Sequence, residues 1–168
     1  IDRSRGLGDV YKRQHLLTHK IEFLWRIHRV HHSDTEMDVS TAIRFHPIEI
    51  ALSMALKISL VYALGADPLS VLIFEILLNG SSIFNHANIN IPNRIDKIVR
   101  FLIVTPDMHR IHHSSDRFEH DTNFGFALSI WDHIFQTYKS RPERDHKEME
   151  IGLIWQDEKP QELGWSLG

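Results

Sequence analysis

Histidine supplies 13 of the 168 residues, and its spacing carries the strongest chemical signal in the chain. The motif H-R-V-H-H at residues 28–32 returns almost unchanged as H-R-I-H-H at residues 109–113, and an H-x-x-x-H pair occupies residues 15–19. In a helix, positions i, i+3 and i+4 share one face, so each cluster presents its imidazoles as one patch. Because neutral imidazole binds iron, zinc and copper, the clusters predict a site for more than one metal ion. Its candidate ligands are His15, His19, His28, His31, His32, His109, His112 and His113.

Other common metal sites fit this chain poorly. Without cysteine it cannot form zinc fingers or iron–sulfur centres, and it has no H-E-x-x-H zinc protease motif. A carboxylate di-iron site needs two E-x-x-H helices, whereas Glu143 to His146, the one such match, lies in a charged tail. The predicted site is therefore built from histidine.

Composition and the distribution of charge restrict the class of protein further. A chain of 168 residues with a net charge of −3 fits one domain and offers no strongly basic surface to nucleic acid. The absence of cysteine also excludes disulfides and a thiol nucleophile. Charged residues and histidines concentrate in residues 12–46 and 85–147, whereas residues 47–84 are largely apolar.

The apolar block at about 47–84 has the pattern of two helices. Residues 47–64 and 69–84 are apolar runs of helical length, separated by a turn at Gly65-Ala66-Asp67-Pro68. Each run is slightly shorter than the roughly 20 residues that span a bilayer comfortably. We predict a membrane hairpin, tilted or incompletely crossing, in which Lys57 and Glu75 face protein. A buried hairpin in a soluble helical protein is the alternative.

A hairpin returns the chain to the side that it left, so the histidine clusters before and after it are predicted to lie on one face of the membrane. Lysine and arginine flank the hairpin and are absent from its turn, which predicts that this metal-binding face is cytoplasmic. Downstream of the hairpin, the sequence has the pattern of an amphipathic helix. Such a helix either lies on the membrane surface or packs in the core. Its apolar stripe is Ile95, Ile98, Val99 and Leu102, opposed by Arg94, Lys97 and Arg100.

Residues 1–14 differ in character from the rest of the chain and resemble translated sequencing-adaptor sequence. We therefore exclude them from the predicted domain, which covers residues 15–141 and is followed by a tail over residues 142–168. A genuine basic lead-in is the alternative. If native sequence begins at His15, membrane helices before it are missing, and the chain as given is expected to be inactive. The apolar residues then left poorly buried are Leu16, Leu17, Ile21 and Phe23.

Further motifs accompany the three histidine clusters in a fixed order. They are R-F-H-P-I-E at residues 44–49, N-H at 85–86, T-P-D-M at 105–108, D-T-N-F-G at 121–125 and W-D at 131–132. Over residues 15–141 this ordered set resembles the fatty acid hydroxylase superfamily, also called the sterol desaturase family. The resemblance implies an all-α, integral membrane protein with a histidine-lined di-iron centre at the cytosolic face.

The activity that the resemblance implies is an oxidoreductase reaction, in which O₂ and two electrons hydroxylate or desaturate a lipid C–H bond. The lipid can be a sterol, a fatty acyl chain, a carotenoid or an ether lipid. The electron donor can be cytochrome b5, ferredoxin or a similar external protein. The membrane is the bacterial inner membrane, or the endoplasmic reticulum if the protein is eukaryotic. The sequence leaves each of these choices open.

Two irons require about eight to ten donors between them, so further ligands are needed beyond the three clusters. His86, at the exit of the hairpin, is the ninth candidate, and His46 is a tenth for which the adjacent Pro47 suggests a structural role instead. Asp34 and Asp116 each follow a His-His pair and either orient imidazole N–H groups or cap helices.

Some positions rest on the resemblance alone or depart from the family pattern. The resemblance suggests that Asp121 and Asn123 close the site. His133 stands where arginine is common in the family and is predicted not to bind metal, and His120 has no clear family counterpart.

Two other classes of protein compete with the oxygenase. A histidine-rich membrane module for metal binding or transport would want histidines within the apolar helices, but residues 50–84 contain none. An inactive scaffold of the same fold would tend to lose ligands, and none is missing from the three clusters. Metal analysis separates these alternatives from the oxygenase.

Overall fold

The computed structural model describes residues 3–153 and 164–165, with side chains from residue 10 onward. Within these residues the chain is helical, and extended backbone is limited to two isolated bridges, as the sequence predicts. A 3₁₀ turn covers Thr41–Ile43. The α-helices are α1 (Arg3–Lys20), α2 (Glu22–His32), α3 (Pro47–Leu64), α4 (Pro68–His86), α5 (Asn93–Val99), α6 (Pro106–His112), α7 (Arg117–His120) and α8 (Ile130–Ile134).

Helices α3 and α4 form the predicted hairpin. Helix α3 begins with a proline in its first turn and ends at Gly65, whose φ of 57° is the left-handed conformation that glycine adopts without strain. Asp67 then caps α4 by accepting a hydrogen bond from the Ser70 backbone N–H at 3.0 Å. Both helices are long and apolar enough to cross a membrane, and only 6% of each span is buried in the protein. Since a soluble core helix would be mostly buried, the hairpin is a membrane element.

Two charged residues in the middle of the hairpin helices pair with each other. Lys57 Nζ on α3 lies 2.8 Å from a carboxylate oxygen of Glu75 on α4, and the amide of Asn79 donates to the Glu75 backbone carbonyl at 2.8 Å. Each charge is therefore matched by its partner across the helix pair, as expected for ionisable groups in a membrane segment.

Helix α1 is continuous from Arg3 and contacts both helices of the hairpin. The Tyr11 ring lies 5.3 Å from that of Phe74 on α4, and the Gln14 amide donates to Ser53 Oγ on α3 at 2.5 Å. Residues 11–14 thus help to hold α1 in place, while the origin of the segment stays a prediction. Beyond them, Leu17, Ile21 and Phe23 are exposed, as the sequence predicts.

Candidate metal centre

The ring nitrogens of nine buried histidines converge in two groups. The donor atoms of each group all lie within 4.8 Å of one another. The first, here called the five-histidine group, consists of His15, His19, His28, His32 and His112. The second, the four-histidine group, consists of His31, His86, His109 and His113. All eight residues of the predicted clusters and the ninth candidate, His86, are therefore brought together.

Helical geometry explains why each H-x-x-H-H motif divides between the groups. At 3.6 residues per turn, positions i and i+4 differ by about 40° around the helix axis, whereas i+3 lies about 100° from i+4. Accordingly His28 and His32 of α2 enter the five-histidine group, and His31 enters the other. The second motif does the reverse, so that His112 alone joins the five-histidine group. Both groups thus depend on α2 and on α6.

The two motifs meet closely in space. The His31 ring lies 4.7 Å from the His113 ring, and the His32 ring lies 4.8 Å from the His112 ring. A shared centre requires the two motifs to approach to well within about 15 Å, given metal–nitrogen bonds near 2 Å. The predicted convergence of the motifs is confirmed.

Backbone carbonyl groups fix the orientation of three of the imidazoles. The Nδ1 atom of His15 lies 3.0 Å from the Phe124 carbonyl oxygen, and that of His112 lies 2.8 Å from the Thr122 carbonyl oxygen. His86 Nδ1 lies 2.7 Å from the carbonyl oxygen of Ser82, one turn earlier in α4. Since a carbonyl oxygen only accepts, each Nδ1 carries the proton and donates. In a neutral ring, Nε2 then presents a lone pair to the centre of its group.

These Nε2 atoms face one another at short distances. His15 and His112 have their Nε2 atoms 3.0 Å apart, and His86 Nε2 lies 3.2 Å from that of His31 and 3.1 Å from that of His109. For His15 and His112 both protons are on Nδ1, so two lone pairs face each other and repel. Bonds of roughly 2.1 Å from one cation to two neighbouring ligands place the two nitrogens about 3 Å apart. The donor set therefore fits a metal ion.

Burial keeps seven of these nine histidines neutral. Removal from water is the largest effect, and neighbouring imidazoles add to it. Together they lower the pKa well below its ordinary value at His15, His19, His31, His32, His109, His112 and His113. Neutral imidazole is the form that binds metal.

Several ring nitrogens of these histidines have no hydrogen-bond partner among the described residues. Both nitrogens of His19, His32 and His113 are unpaired, although a buried polar atom without a partner is costly. Coordination of these nitrogens by a metal ion would remove that cost.

A carboxylate that the sequence did not single out contacts one of the five histidines. Glu49 Oε1, in the first turn of α3, lies 2.6 Å from His28 Nδ1, and both side chains are buried. The R-F-H-P-I-E motif contains Glu49, but only the fold brings it against α2. A carboxylate on the far nitrogen of a ligand fixes the ring and increases its basicity, so Glu49 is suited to hold His28 for metal binding.

Three further candidate residues form hydrogen bonds that order the nearby chain, which is the alternative role that the sequence left open. His46 lies outside both groups, and its Nδ1 accepts from the Ile48 backbone N–H at 3.1 Å, capping α3. Asp34 accepts from Thr41 Oγ1 at 2.6 Å, which orders the loop after α2. Asp116 caps α7 by accepting from the Phe118 backbone N–H at 2.8 Å.

Of the two residues that the resemblance suggests close the site, Asp121 lies near His19, and Asn123 donates hydrogen bonds to backbone carbonyl groups. Asp121 Oδ1 is 3.7 Å from His19 Nδ1, and its other oxygen is 2.7 Å from Lys20 Nζ. Asn123 has a φ of 51° and donates to the carbonyl oxygens of Met108 and Lys139 at 3.0 and 2.9 Å. Asn123 thereby ties α6 to the segment that follows the site.

His120 also lies at the edge of the five-histidine group, although no repeated motif pointed to it. Its ring is 4.9 Å from that of His19 and 5.3 Å from that of His32. Burial lowers the pKa of His120 to about 4. His133, predicted not to bind metal, is exposed on α8 with its ring 4.0 Å from that of Tyr138.

The loop that provides the Phe124 carbonyl is itself held by a buried carboxylate. Asp132 accepts from the backbone N–H groups of Phe124 and Gly125 at 3.0 and 2.9 Å, and Lys12 Nζ lies 3.1 Å from it. A Cβ at Gly125 would stand 2.7 Å from Asp132 Oδ2, so the backbone approaches this carboxylate in a way that only glycine permits. The W-D motif thus supports the orientation of His15 indirectly.

A membrane helical protein with a buried, all-histidine candidate metal centre is the class that the fold and site define. The fatty acid hydroxylase family model matches residues 11–137, and the chain belongs to this family.

Three relatives illustrate the similarity. The chain is 35% identical to ornithine lipid hydroxylase OlsE of Rhizobium tropici over 130 residues. The matched region makes up 76% of the chain and 38% of that relative. It is 28% identical over 135 residues to human alkylglycerol monooxygenase, covering 77% of the chain and 28% of the relative. Human cholesterol 25-hydroxylase is 28% identical to the chain over 132 residues, and the matched region covers 75% of the chain and 46% of the relative. The chain therefore spans less than half the length of these relatives. No solved structure matches it.

Proposed function

We propose that the two histidine groups each hold an iron ion and that the chain forms the metal-binding part of a membrane oxygenase, which uses O₂ to hydroxylate a lipid C–H bond. The observation that carries this proposal is the pair of buried groups whose unprotonated nitrogens face one another. The rings of His31 and His32, which belong to different groups, are 5.5 Å apart, so two ions would be neighbours. Such a pair suits O₂ chemistry, which needs a redox metal.

The chain's own residues prepare and protect this centre. Bound iron would supply the electron transfer to O₂ that oxidises the C–H bond. The carbonyl groups of Ser82, Thr122 and Phe124 hold the protons of three ligands on Nδ1, which leaves Nε2 for the metal. Glu49 Oε1 does the same for His28, because it accepts the proton of His28 Nδ1 and leaves Nε2 for the metal. Because all nine histidines are buried, bulk water is kept from the reacting centre.

The substrate that we propose is a membrane lipid. The three relatives are named for an ornithine lipid, an alkylglycerol and cholesterol, which differ in their polar parts but are all lipids. Their names describe hydroxylation or monooxygenation, which favours hydroxylation over desaturation for this chain. The membrane hairpin above the histidine groups gives such a substrate a direct route from the bilayer.

The proposal includes an external electron donor and a cytoplasmic metal-binding face. No haem or flavin motif occurs in the sequence, so electrons would come from a protein such as cytochrome b5 or ferredoxin. The distribution of lysine and arginine around the hairpin supports a cytoplasmic position for the centre, in a bacterial inner membrane or the endoplasmic reticulum. We further propose that residues 1–168 alone have little activity, because Leu17, Ile21 and Phe23 beside the ligands of α1 are exposed.

Metal analysis combined with lipid profiling tests the function. The protein, purified in detergent, is expected to contain two irons per chain, and membranes that contain it within the complete protein should accumulate a hydroxylated lipid. The His112→Ala variant is the matched negative control for lipid oxidation. Zinc or copper at variable stoichiometry, with no change in the lipids, would instead indicate a metal-binding or transport module.

A further inference from the structure

Helix α5 and the segment after it turn an apolar surface outward. The exposed fractions are 53% for Ile95, 74% for Ile98, 70% for Phe101, 64% for Leu102 and 40% for Ile103. This set, here called the α5 face, extends the apolar stripe found in the sequence beyond the end of the helix at Val99. Since these side chains are not buried against the described part of the protein, core packing does not explain the stripe.

The opposite side of α5 is charged and buried. Asp96 and Arg100 form an ion pair one turn apart, and both side chains are largely inaccessible to solvent. Arg100 also donates to the Ser140 carbonyl oxygen at 2.7 Å, which joins α5 to the polar tail region. Helix α5 therefore differs from the usual helix of a soluble protein, because an ion pair faces inward while its apolar residues face outward.

The α5 face lies close to the point where the hairpin leaves the membrane. Asn85, at the end of α4, donates to the Phe126 carbonyl oxygen at 2.5 Å. Next to Phe126, the Ala127 carbonyl accepts from the Val104 backbone N–H at 2.9 Å, and Ile103 pairs with Leu128 in an antiparallel bridge. Leu128 is itself exposed. A chain of contacts thus joins the end of the membrane span to the exposed apolar residues Leu128 and Ile103, which lie next to α5.

Two cations border this surface. Arg94 and Lys97 are exposed on α5 next to the apolar residues. A short apolar face bordered by basic residues is typical of segments that lie in the plane of a membrane, with apolar side chains below the lipid headgroups and cations at the phosphates.

We propose that the α5 face is a membrane-surface anchor, which inserts into the lipid monolayer on the side of the histidine groups. Its occupant is the membrane surface itself, and its continuity with the hairpin argues against a separate protein partner. Helix α6, which contains His109 and His112, begins at Pro106, three residues after the bridge of Ile103. The anchor therefore fixes the depth of α6 below the bilayer. This proposal does not depend on which metal the histidines bind.

The test uses the absence of cysteine from the chain, which allows a single fluorescent label to be placed at will. Ile98→Cys and Phe101→Cys are each labelled with an environment-sensitive dye and reconstituted, as the full chain, in vesicles of phosphatidylcholine and phosphatidylglycerol. Quenching by a lipid that carries a nitroxide near its headgroup is compared with quenching by aqueous iodide. Ile58→Cys on α3 is the control for the membrane interior, and Arg144→Cys, on a side chain that is 68% exposed in the tail, is the control for water.

Both α5 labels are expected to be quenched by the nitroxide lipid and protected from iodide, with blue-shifted emission relative to the label at residue 144. Labels quenched by iodide as strongly as the residue 144 control would show that the face is in water. Labels reached by neither quencher would show that another segment or a second copy covers it. Either result overturns the proposal. Ile95→Cys and Leu102→Cys repeat the measurement at independent positions of the face.

Discussion

The Nε2 atoms of His15 and His112 lie 3.0 Å apart, although 97 positions separate the two residues in the chain. Each ring has its Nδ1 bound to a backbone carbonyl oxygen, from Phe124 and Thr122 respectively. Neither Nε2 therefore has a proton to offer the other. Two buried lone pairs at this distance are stable only with a cation between them, which makes this pair the most direct structural sign of a metal ion.

Removing one member of this pair should disrupt the centre. We expect His112→Ala to abolish lipid oxidation and to lower the iron content, because it leaves the five-histidine group without its one ligand from α6. Iron is measured by elemental analysis of the purified protein. His133→Ala is the matched control, since His133 is exposed and outside both groups, and it should change neither quantity. Full iron retention in the His112 variant would show that the repeated motif is not a ligand set.

The carboxylate that holds His28 should influence the adjoining metal electronically. Glu49→Gln keeps the size of the side chain but removes its negative charge from His28 Nδ1. We expect metal affinity to fall by about 10- to 100-fold and the reduction potential of the iron in the five-histidine group to rise, since the charge favours the oxidised ion. Competition with a chelator and a redox titration followed by Mössbauer spectroscopy measure the two effects. Glu22→Gln, at an exposed carboxylate on α2, should leave both values unchanged.

The stability of the metal-free protein should decrease in mild acid. Burial lowers the pKa of seven ligand histidines, among them His15 and His112, well below the ordinary value. Below about pH 6.5 the unfolded chain therefore binds protons that the folded chain does not, and stability is lost as the pH falls. Each such histidine contributes up to about 1.4 kcal/mol per pH unit. Thermal unfolding in detergent between pH 8 and 5 measures this slope, and a flat profile would contradict the burial of neutral imidazoles.

The close approach of Gly125 to Asp132 should make this glycine difficult to replace. We expect Gly125→Ala to destabilise the protein by about 1–3 kcal/mol, because its Cβ would stand 2.7 Å from Asp132 Oδ2 and 3.0 Å from the Leu128 carbonyl oxygen. The matched control is Gly80→Ala on α4, where a Cβ meets nothing within 4 Å. Denaturation of both variants, compared with the parent protein, measures the difference. Equal stability of the two variants would show that the loop adjusts freely.

Much of this arrangement was predictable from local patterns. The spacing of histidines predicted three imidazole patches, and the length of the apolar runs predicted the hairpin, because both are properties of a single helix. The division of each motif between two groups was not predictable, since it depends on how α2 and α6 are rotated relative to each other. Glu49 and His120 were missed for a related reason: only the packing of separate elements brings them against His28 and His19.

The carbonyl partners of the ligands leave no trace in sequence, because every residue has a carbonyl group. For Asp34 and Asp116 the sequence left two roles open, the orientation of imidazole N–H groups or the capping of helices. Their position after a His-His pair suggested contact with imidazole, but the chain turns there, and the carboxylates bond to Thr41 Oγ1 and the Phe118 backbone N–H instead. Short acidic side chains in turns satisfy nearby donors before distant ones.

Because α2 and α6 each contribute to both groups, the order of biosynthesis constrains how the protein acquires metal. Until the ribosome has made His112 and His113, neither group has all its histidines, even if the earlier helices have already formed. Under the proposed function, the hairpin is therefore made before either group can bind its metal ion, and metal delivery is a late step. Until that step, the finished chain contains a buried cluster of imidazoles in which both nitrogens of His19, His32 and His113 have no hydrogen-bond partner among the described residues.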